Sequence, residues 1–349
     1  MYYIAYGSNL DSKTRNDNGF NFKFITKYNL INYKLAFKSY NNSNSFLTLD
    51  EEHNGVVDTV IYEIDDDTLN KLDIYEEVDN NLYYKKYIKV SIDDNEYDAL
   101  IYLMNRDSVL SLPKHDYFMK VYNAYKEYGF DIERLFKATD EIDYEMKDIM
   151  TNCFLYLSSG LKHSDELNTR TLLDEINSTK YLDFKSREIL GRRLFGSVGK
   201  NLIFNKPFHC DHGYNIHIGD NFYSNFNLTI LDTSKVTIGD NCFIGPNVSI
   251  VCPIHPIDAV CRNTFFEGSK DINIKDNVWI CSNVVINGGV TIGENVVVAS
   301  GSVVTKSLGD NVVIGGNPAR VIRTIGDKDR IKWEEEIEIS KRLITKFNN

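Results

Sequence analysis

Aliphatic residues recur at every sixth position from Ile274: Ile280, Ile286, Ile292, Val298 and Val304 follow it. A second register two positions earlier runs Ile272, Val278, Val284, Val290 and Val296, then Ser302. Asn, Asp and Gly fill the intervals. This period suits neither a helix nor one long alternating strand. It predicts short strands joined by turns and stacked so that each sixth residue enters one core, which is a parallel β-helix. An ordinary buried strand would be a single apolar run. Ile238, Ile244 and Ile250 carry the same register upstream. Residues 251–271 break it, which predicts a loop leaving the coil.

The first part of the chain patterns differently. Tyr2–Ala5 reads as a strand running into the turn Tyr6-Gly7-Ser8-Asn9-Leu10. Further strands are predicted at Tyr33–Lys38, Val56–Ile64, Tyr84–Ile92 and Tyr97–Met104. Leu69 and Leu72 share one side of a helix over Thr68–Tyr75. Phe118, Val121, Tyr122 and Tyr125 stripe another over His115–Tyr128, which Gly129 ends. These make a small α+β domain with a mostly antiparallel sheet over residues 1–138. A charged break at Ala138–Glu141 precedes a helical region, 139–207. There Met146, Ile149, Met150, Cys153 and Leu157 predict one helix ending at Gly160. Ser164 caps a second with Leu167, Leu172 and Ile176 inward. Ile189, Leu190 and Leu194 stripe a third, Asp183–Phe195. Three short helices bury little alone, so they are expected to pack on the β-helix. The coil occupies 208–325. A tail, 326–349, is expected to be a helix packing back on the assembly, with Trp333, Ile337, Ile344 and Phe347 on one stripe.

Composition fits a globular chain of 349 residues, 42% hydrophobic and 26% charged. The net charge of −11 argues against nucleic acid or an anionic membrane as partner. No apolar run is long enough to span a bilayer, and the N-terminus lacks a basic signal-peptide region, so a cytoplasmic protein is expected. Cys153, Cys210, Cys242, Cys252, Cys261 and Cys281 form no CxxC and read as reduced thiols. His209, Cys210, His212 and His217 cluster, but their spacing matches no zinc pattern, and no metal is expected.

Two features of the first domain carry chemistry. Gly7 permits an unusual φ, and successive N–H groups of the Tyr6–Leu10 turn can form an anion-binding nest. Glu76 ends Leu72-Asp73-Ile74-Tyr75-Glu76. Asp73 and Glu77 beside it are expected to raise its pKa by like-charge repulsion, which suits a general acid/base. The residues alone equally describe a solvated acidic turn. YIAYGSNL, LDIYEEV, Tyr83 and IYLM, in this order, resemble the γ-glutamylcyclotransferases and their AIG2-like relatives over nearly all of 1–138. The resemblance implies that the backbone of Tyr6, Gly7, Ser8, Asn9 and Leu10 holds a γ-glutamyl group. It implies too that Glu76 moves a proton as the substrate α-amine attacks its own γ-carbonyl, releasing 5-oxoproline and an amine. One departure is Glu77, where that family usually has Gly.

GYNIHIGDNFYSNFNLTILD, IGDNCFIGPNVSI, HPID, DNVWICSNVVI, GSVVTK and GGNPARVIR resemble the galactoside and maltose O-acetyltransferases, a branch of the hexapeptide acyltransferases, from about Asp140 to Ile325. The resemblance implies a left-handed β-helix, a homotrimer, and acetyl-CoA as co-substrate with a sugar or glycoside acceptor. It makes His255 the base that deprotonates the hydroxyl as it attacks the thioester. Asn225 and Asp211 contact the acceptor, and the Ser282 N–H faces the thioester oxygen. Trp279, Ser300, Thr305 and Lys306 line the coenzyme, and Arg320 and Arg323 reach its phosphates. The acceptor side departs from the galactoside pattern. Leu157 stands where those enzymes carry an Asp, Asp211 replaces a Ser as in maltose-type members, and Thr233 replaces an Asp. The expected protein is thus an O-acetyltransferase fused to a γ-glutamylcyclotransferase-like domain. The alternatives are cyclisation of γ-glutamyl amines as the main activity and a trimeric binding scaffold.

Overall fold

The computed structural model describes residues 1–41 and 44–345 and divides into two compact units, 1–154 and 155–349. The first is built on strands β1 (Tyr2–Ala5), β2 (Lys23–Ser39), β3 (Phe46–Glu63), β4 (Tyr83–Ile92), β5 (Asn95–Met104) and β6 (Val109–Leu110), in the order β4-β5-β1-β3-β2-β6. Among the described residues of this unit, only β1 and β5 pair in parallel. Helices α1 (Ser12–Asp17), α2 (Asp66–Tyr75), α3 (His115–Tyr128), α4 (Ile132–Asp140) and α5 (Met146–Thr151) complete the unit. Asp65 caps α2 by accepting from the Thr68 N–H at 2.8 Å, and Gly129 ends α3 at φ +66°. Predicted Tyr2–Ala5 is β1 itself; Tyr33–Lys38, Tyr84–Ile92 and Tyr97–Met104 fall inside longer strands, and Val56–Ile64 overruns the end of β3 by one residue. The β2–β3 hairpin in particular extends through polar residues that carry no apolar alternation.

The helical region does not form one group. Ala138 and Ile142 are buried in the first unit's core, and Phe154 packs against it. The His115 N–H bonds the Asn152 carbonyl at 2.9 Å, and Lys114 Nζ bonds the Thr151 carbonyl at 2.7 Å. The chain therefore divides sixteen residues beyond the expected break at 138, because α5 is bonded to the start of α3. The predicted Met146–Gly160 helix stops at Thr151, and Gly160 belongs to a short 3-10 turn, Ser158–Gly160. In the second unit α6 (His163–Ser178) starts one residue before Ser164, which is therefore not its cap. Leu172 and Ile176 are buried, but Leu167 is exposed. In α7 (Phe184–Leu194), capped by Asp183, Leu194 is buried and Ile189 is exposed. Buried Arg187 ties α7 to the coil. Its guanidinium donates to the carbonyls of Phe204, Lys180 and Tyr181 and to the Thr179 hydroxyl.

The coil has three parallel faces. One stacks Ile218, Ile238, Ile274 and Ile292. The second stacks Phe204, Ser224, Ile244, Ile280, Val298 and Ile314. The third stacks Cys210, Ile230, Ile250, Ile286 and Val304. Each six-residue step thus moves to the next face, and three steps complete a coil. Ser302, the polar exception in the second register, is buried with its hydroxyl bonded to the Ala299 carbonyl and the Gly316 N–H. Asn residues take the left-handed corners. Asn221, Asn241 and Asn277 lie at φ +57°, +56° and +60°, and their side chains bond in a column. A Cβ on Gly239, at such a corner, would stand 2.2 Å from Asp276 Oδ1.

Residues between Cys252 and Lys270 leave the coil as a loop containing α8 (Ala259–Arg262) and the antiparallel pair Pro253–Ile254 with Gly268–Ser269. The coil closes on itself beneath it, Lys270 N–H bonding the Cys252 carbonyl at 3.1 Å. The C-terminal helix α9 (Asp327–Thr345) leaves Trp333, Ile337 and Ile344 exposed within one chain, and Phe347 lies outside the described residues.

Candidate active sites of the two units

In the first unit, β1 delivers the chain into the 3-10 turn Ser8–Leu10, and α2 ends on Glu76. Tyr3, Tyr6, Gly7, Ser8, Asn9, Leu47, Glu76, Tyr83, Tyr102 and Tyr117 line a small pocket. Gly7 lies at φ −121°, ψ −136°, so the unusual conformation expected of it lies in ψ and not in φ. A Cβ there would meet Leu47 and the Tyr117 hydroxyl at ordinary contact distance, 3.7 Å. The turn's later N–H groups are used, Leu10 bonding Gly7 and Asp11 bonding Ser8. The N–H groups of Ser8 and Asn9 donate to no described residue.

Glu76 Oε1 accepts from Asn9 Nδ2 at 2.8 Å. Burial pushes the Glu76 carboxyl up to about 7, and the Asn9 bond pulls the other way. The expected like-charge cause does not operate. Asp73 is engaged with Lys85 at 2.6 Å and with the Tyr102 hydroxyl at 2.7 Å. Glu77 is exposed, at φ +50°, and its carboxylate accepts from Asn80 at 3.1 Å. That φ explains why Gly suits this position just past a helix end. Glu77 is exposed and is not among the residues that line the pocket.

In the second unit, His255 stands on the loop, more than half exposed, with Nε2 3.8 Å from Glu267 Oε2. Glu267 is held by a reciprocal backbone pair with Tyr156 (2.9 and 3.0 Å). The Tyr156 hydroxyl faces the Glu267 carboxylate, and Thr233 and Asp211 lie nearby. Burial first, then Glu267, raises its pKa. Burial also raises Asp211, partly offset by Arg170. Glu267 and Tyr156 were not singled out in the sequence. Tyr156 adjoins Leu157, the position aligned with the missing acid, and that adjacency was the available signal. Asp232 is another. It is fully buried, accepts from the N–H groups of Asp211, His212 and Asn215, and is raised to about 7 by burial. It fixes the corner that presents Asp211. Asn225 follows the strand Tyr223–Ser224, its Oδ1 accepting from the Phe226 N–H.

Trp279 is 53% exposed on the second face, between Phe243 and Val297. The Ser282 N–H donates to no described residue, as an oxyanion donor requires. Ser300 lies beside the Cys281 thiol, whose pKa burial raises. Ser300, Thr305, Lys306 and Arg320 are exposed. Arg323 is not a free cation: it forms a two-pronged pair with Asp329 at 2.7 and 2.8 Å. Among the described residues no group of three or more His, Cys, Asp or Glu could hold a metal.

A stacked coil bearing a loop histidine defines a hexapeptide-repeat transferase. Residues 271–306 match the bacterial transferase hexapeptide family and residues 235–255 the hexapeptide repeat of succinyl-transferase. The chain is 48% identical to galactoside O-acetyltransferase of Escherichia coli K12 over 190 residues, 54% of this chain and 93% of that protein. The Lactococcus lactis galactoside O-acetyltransferase is 36% identical, covering 45% of this chain and 77% of the relative. A maltose O-acetyltransferase from Clostridium difficile 630 superposes with TM-score 0.51 at 41% identity, over 53% of this chain and 99% of its own. A galactoside acetyltransferase in complex with coenzyme A gives TM-score 0.51 at 42% identity, over 54% and 94%. The chain belongs to the galactoside O-acetyltransferase family, and its coil is the left-handed β-helix of that fold. Residues 3–120 match the AIG2-like gamma-glutamyl cyclotransferase family, which gives the chain a second recognisable domain.

Proposed function

We propose that the second unit transfers acetyl from acetyl-CoA to a hydroxyl of a sugar or glycoside, in the cytoplasm and as a homotrimer. The observation that carries this is the loop His255 beside Glu267 in a chain 48% identical to a galactoside O-acetyltransferase. The His255 imidazole takes the hydroxyl proton as the sugar oxygen attacks the thioester carbonyl. The Ser282 N–H receives the oxyanion. Collapse expels the CoA thiolate, which takes the proton from the imidazolium. Glu267, 3.8 Å from Nε2, positions the ring. Asp211 and Asn225 contact the acceptor. Trp279, Ser300, Thr305 and Lys306 flank the coenzyme, and Arg320 reaches its phosphates. Arg323 does so on release from Asp329. Exposed Phe243, Ile257, Val260 and Phe265 supply apolar surface for neighbouring subunits. The test is thiol release from acetyl-CoA across a sugar panel. Acceptor-dependent release that His255→Ala abolishes is expected; equal release by the variant overturns the assignment.

A second reading applies to the first unit: cyclisation of γ-glutamyl amines. It is favoured by Glu76, a carboxyl poised near neutrality in a pocket with the open N–H groups of Ser8 and Asn9. The substrate amine nitrogen bonds the γ-carbon and the bond to the leaving amine breaks. Glu76 carries the proton from one nitrogen to the other. Ring closure within one molecule supplies much of the rate. Production of 5-oxoproline by the wild type but not by Glu76→Gln is expected. Equal production by both would remove Glu76 from the reaction.

A further inference from the structure

Asn9 is 4% exposed, and its amide is used on one side only. Nδ2 donates to the Tyr3 hydroxyl at 2.7 Å and to Glu76 Oε1 at 2.8 Å. Its Oδ1 is buried without any donor. A buried acceptor left unmet is costly, and native folds rarely leave one without a purpose. Turning the amide over does not relieve it, because Oδ1 would then face the ionised Glu76 oxygen, acceptor against acceptor.

The surrounding charges sharpen the point. Among the described residues no Lys, Arg or His pairs with Glu76. The other acid of that helix face, Asp73, is already engaged by Lys85. Arg15 spends its Nη1 on the Asn9 and Leu10 carbonyls and the Tyr62 hydroxyl. Asn9 and Glu76 thus both line the pocket, one with an amide oxygen that meets no donor and the other with a carboxylate that meets no described cation. Both call for N–H donors, and one nitrogen with several hydrogens satisfies both.

We propose that Asn9 Oδ1 and Glu76 form a two-acceptor cradle for the α-ammonium group of a γ-glutamyl ligand, with Asn9 the positioning residue that aims the nitrogen. The proposal rests on the cyclotransferase reading of this unit. Glu76 removes one proton, and Asn9 Oδ1 retains another N–H, so the freed lone pair is held toward the γ-carbonyl. Asn9 is therefore a selector as well as a prop. It admits glutamyl groups with a free amine and disfavours those without one.

The test is calorimetric titration of the full chain with L-glutamate and with glutarate, which differ by the ammonium group. Two charge-assisted hydrogen bonds predict that glutamate binds at least about ten-fold more tightly. Asn9→Leu should cut that preference several-fold, Glu76 alone remaining to hold the ammonium, with glutarate binding and a single calorimetric melting transition showing that the fold survives substitution. Equal affinities in the wild type, or an undiminished preference in Asn9→Leu, overturn the cradle. If 5-oxoproline is still formed from L-γ-glutamyl anilide, the cyclotransferase reading stands without it. If neither ligand binds and no 5-oxoproline appears, that reading fails and the cradle with it.

Discussion

Glu76 shows how one side chain ties folding to chemistry. Its folded pKa, about 7, lies above the ordinary carboxyl value of 4.5. The folded state therefore holds the proton more tightly than the unfolded one, and stability falls as pH rises between those values. The loss is complete above about pH 8 and amounts to roughly 3 kcal/mol. Glu76→Gln should accordingly raise the melting temperature of the first unit at pH 8, with the gain disappearing near pH 4, as followed by differential scanning calorimetry. Cyclisation, which needs the carboxylate, should rise with pH through the same region. Destabilisation and activity thus have one cause, the removal of a carboxyl from water. At the second site, Glu267→Gln should lower kcat by roughly ten-fold or more, within the range that positioned proton transfer contributes, and leave KM for acetyl-CoA unchanged. Residues inside a contiguous motif, such as Asn9 and His255, were legible in the sequence. Glu267 and Tyr156 were not, because they meet through a backbone pair spanning 111 residues of chain. The cause of the Glu76 shift was also hidden, since neighbours in sequence proved to be solvated or paired.

At the scale of elements, regularity decided what could be read. Between Ile274 and Val304 each coil takes eighteen residues and the period is clean. The earlier coils step eight residues at one corner, from Cys210 to Ile218 and from Ile230 to Ile238. That corner, where Asp232 gathers three N–H groups, hides Ile218 and Ile230 from a search at six. The helices were legible where a cap and a stripe agreed, as in α3, and misread where apolar residues at helical spacing proved solvent-facing, as with Leu167 and Ile189. Ile286, wholly buried in the third face, should cost about 2–5 kcal/mol when cut to Ala. Arg187→Met should destabilise the second unit by roughly 3 kcal/mol, because it strands several carbonyl acceptors at once. Chemical denaturation measures both.

At the scale of the molecule, two units with separate cores match two different families. Glu76→Gln should leave acceptor-dependent CoA release unchanged, and His255→Ala should leave 5-oxoproline formation unchanged, when both products are assayed in one sample. The presence of two domains was legible because a six-residue period and a mixed α+β pattern do not resemble each other. Their border was not, because the chain between them is helical on both sides of it and only tertiary bonds, such as Lys114 to Thr151, assign α5. The loop that bears His255 begins and ends on one hydrogen bond between Cys252 and Lys270. A chain that departs and returns at the same spot can be cut out and rejoined as a hairpin-sized graft, without unthreading the stack. Loops of other lengths and linings can thus be transplanted onto one unchanged spine, so that acceptor choice is free to evolve, or be engineered, while the thermal endurance of the scaffold stays where it was.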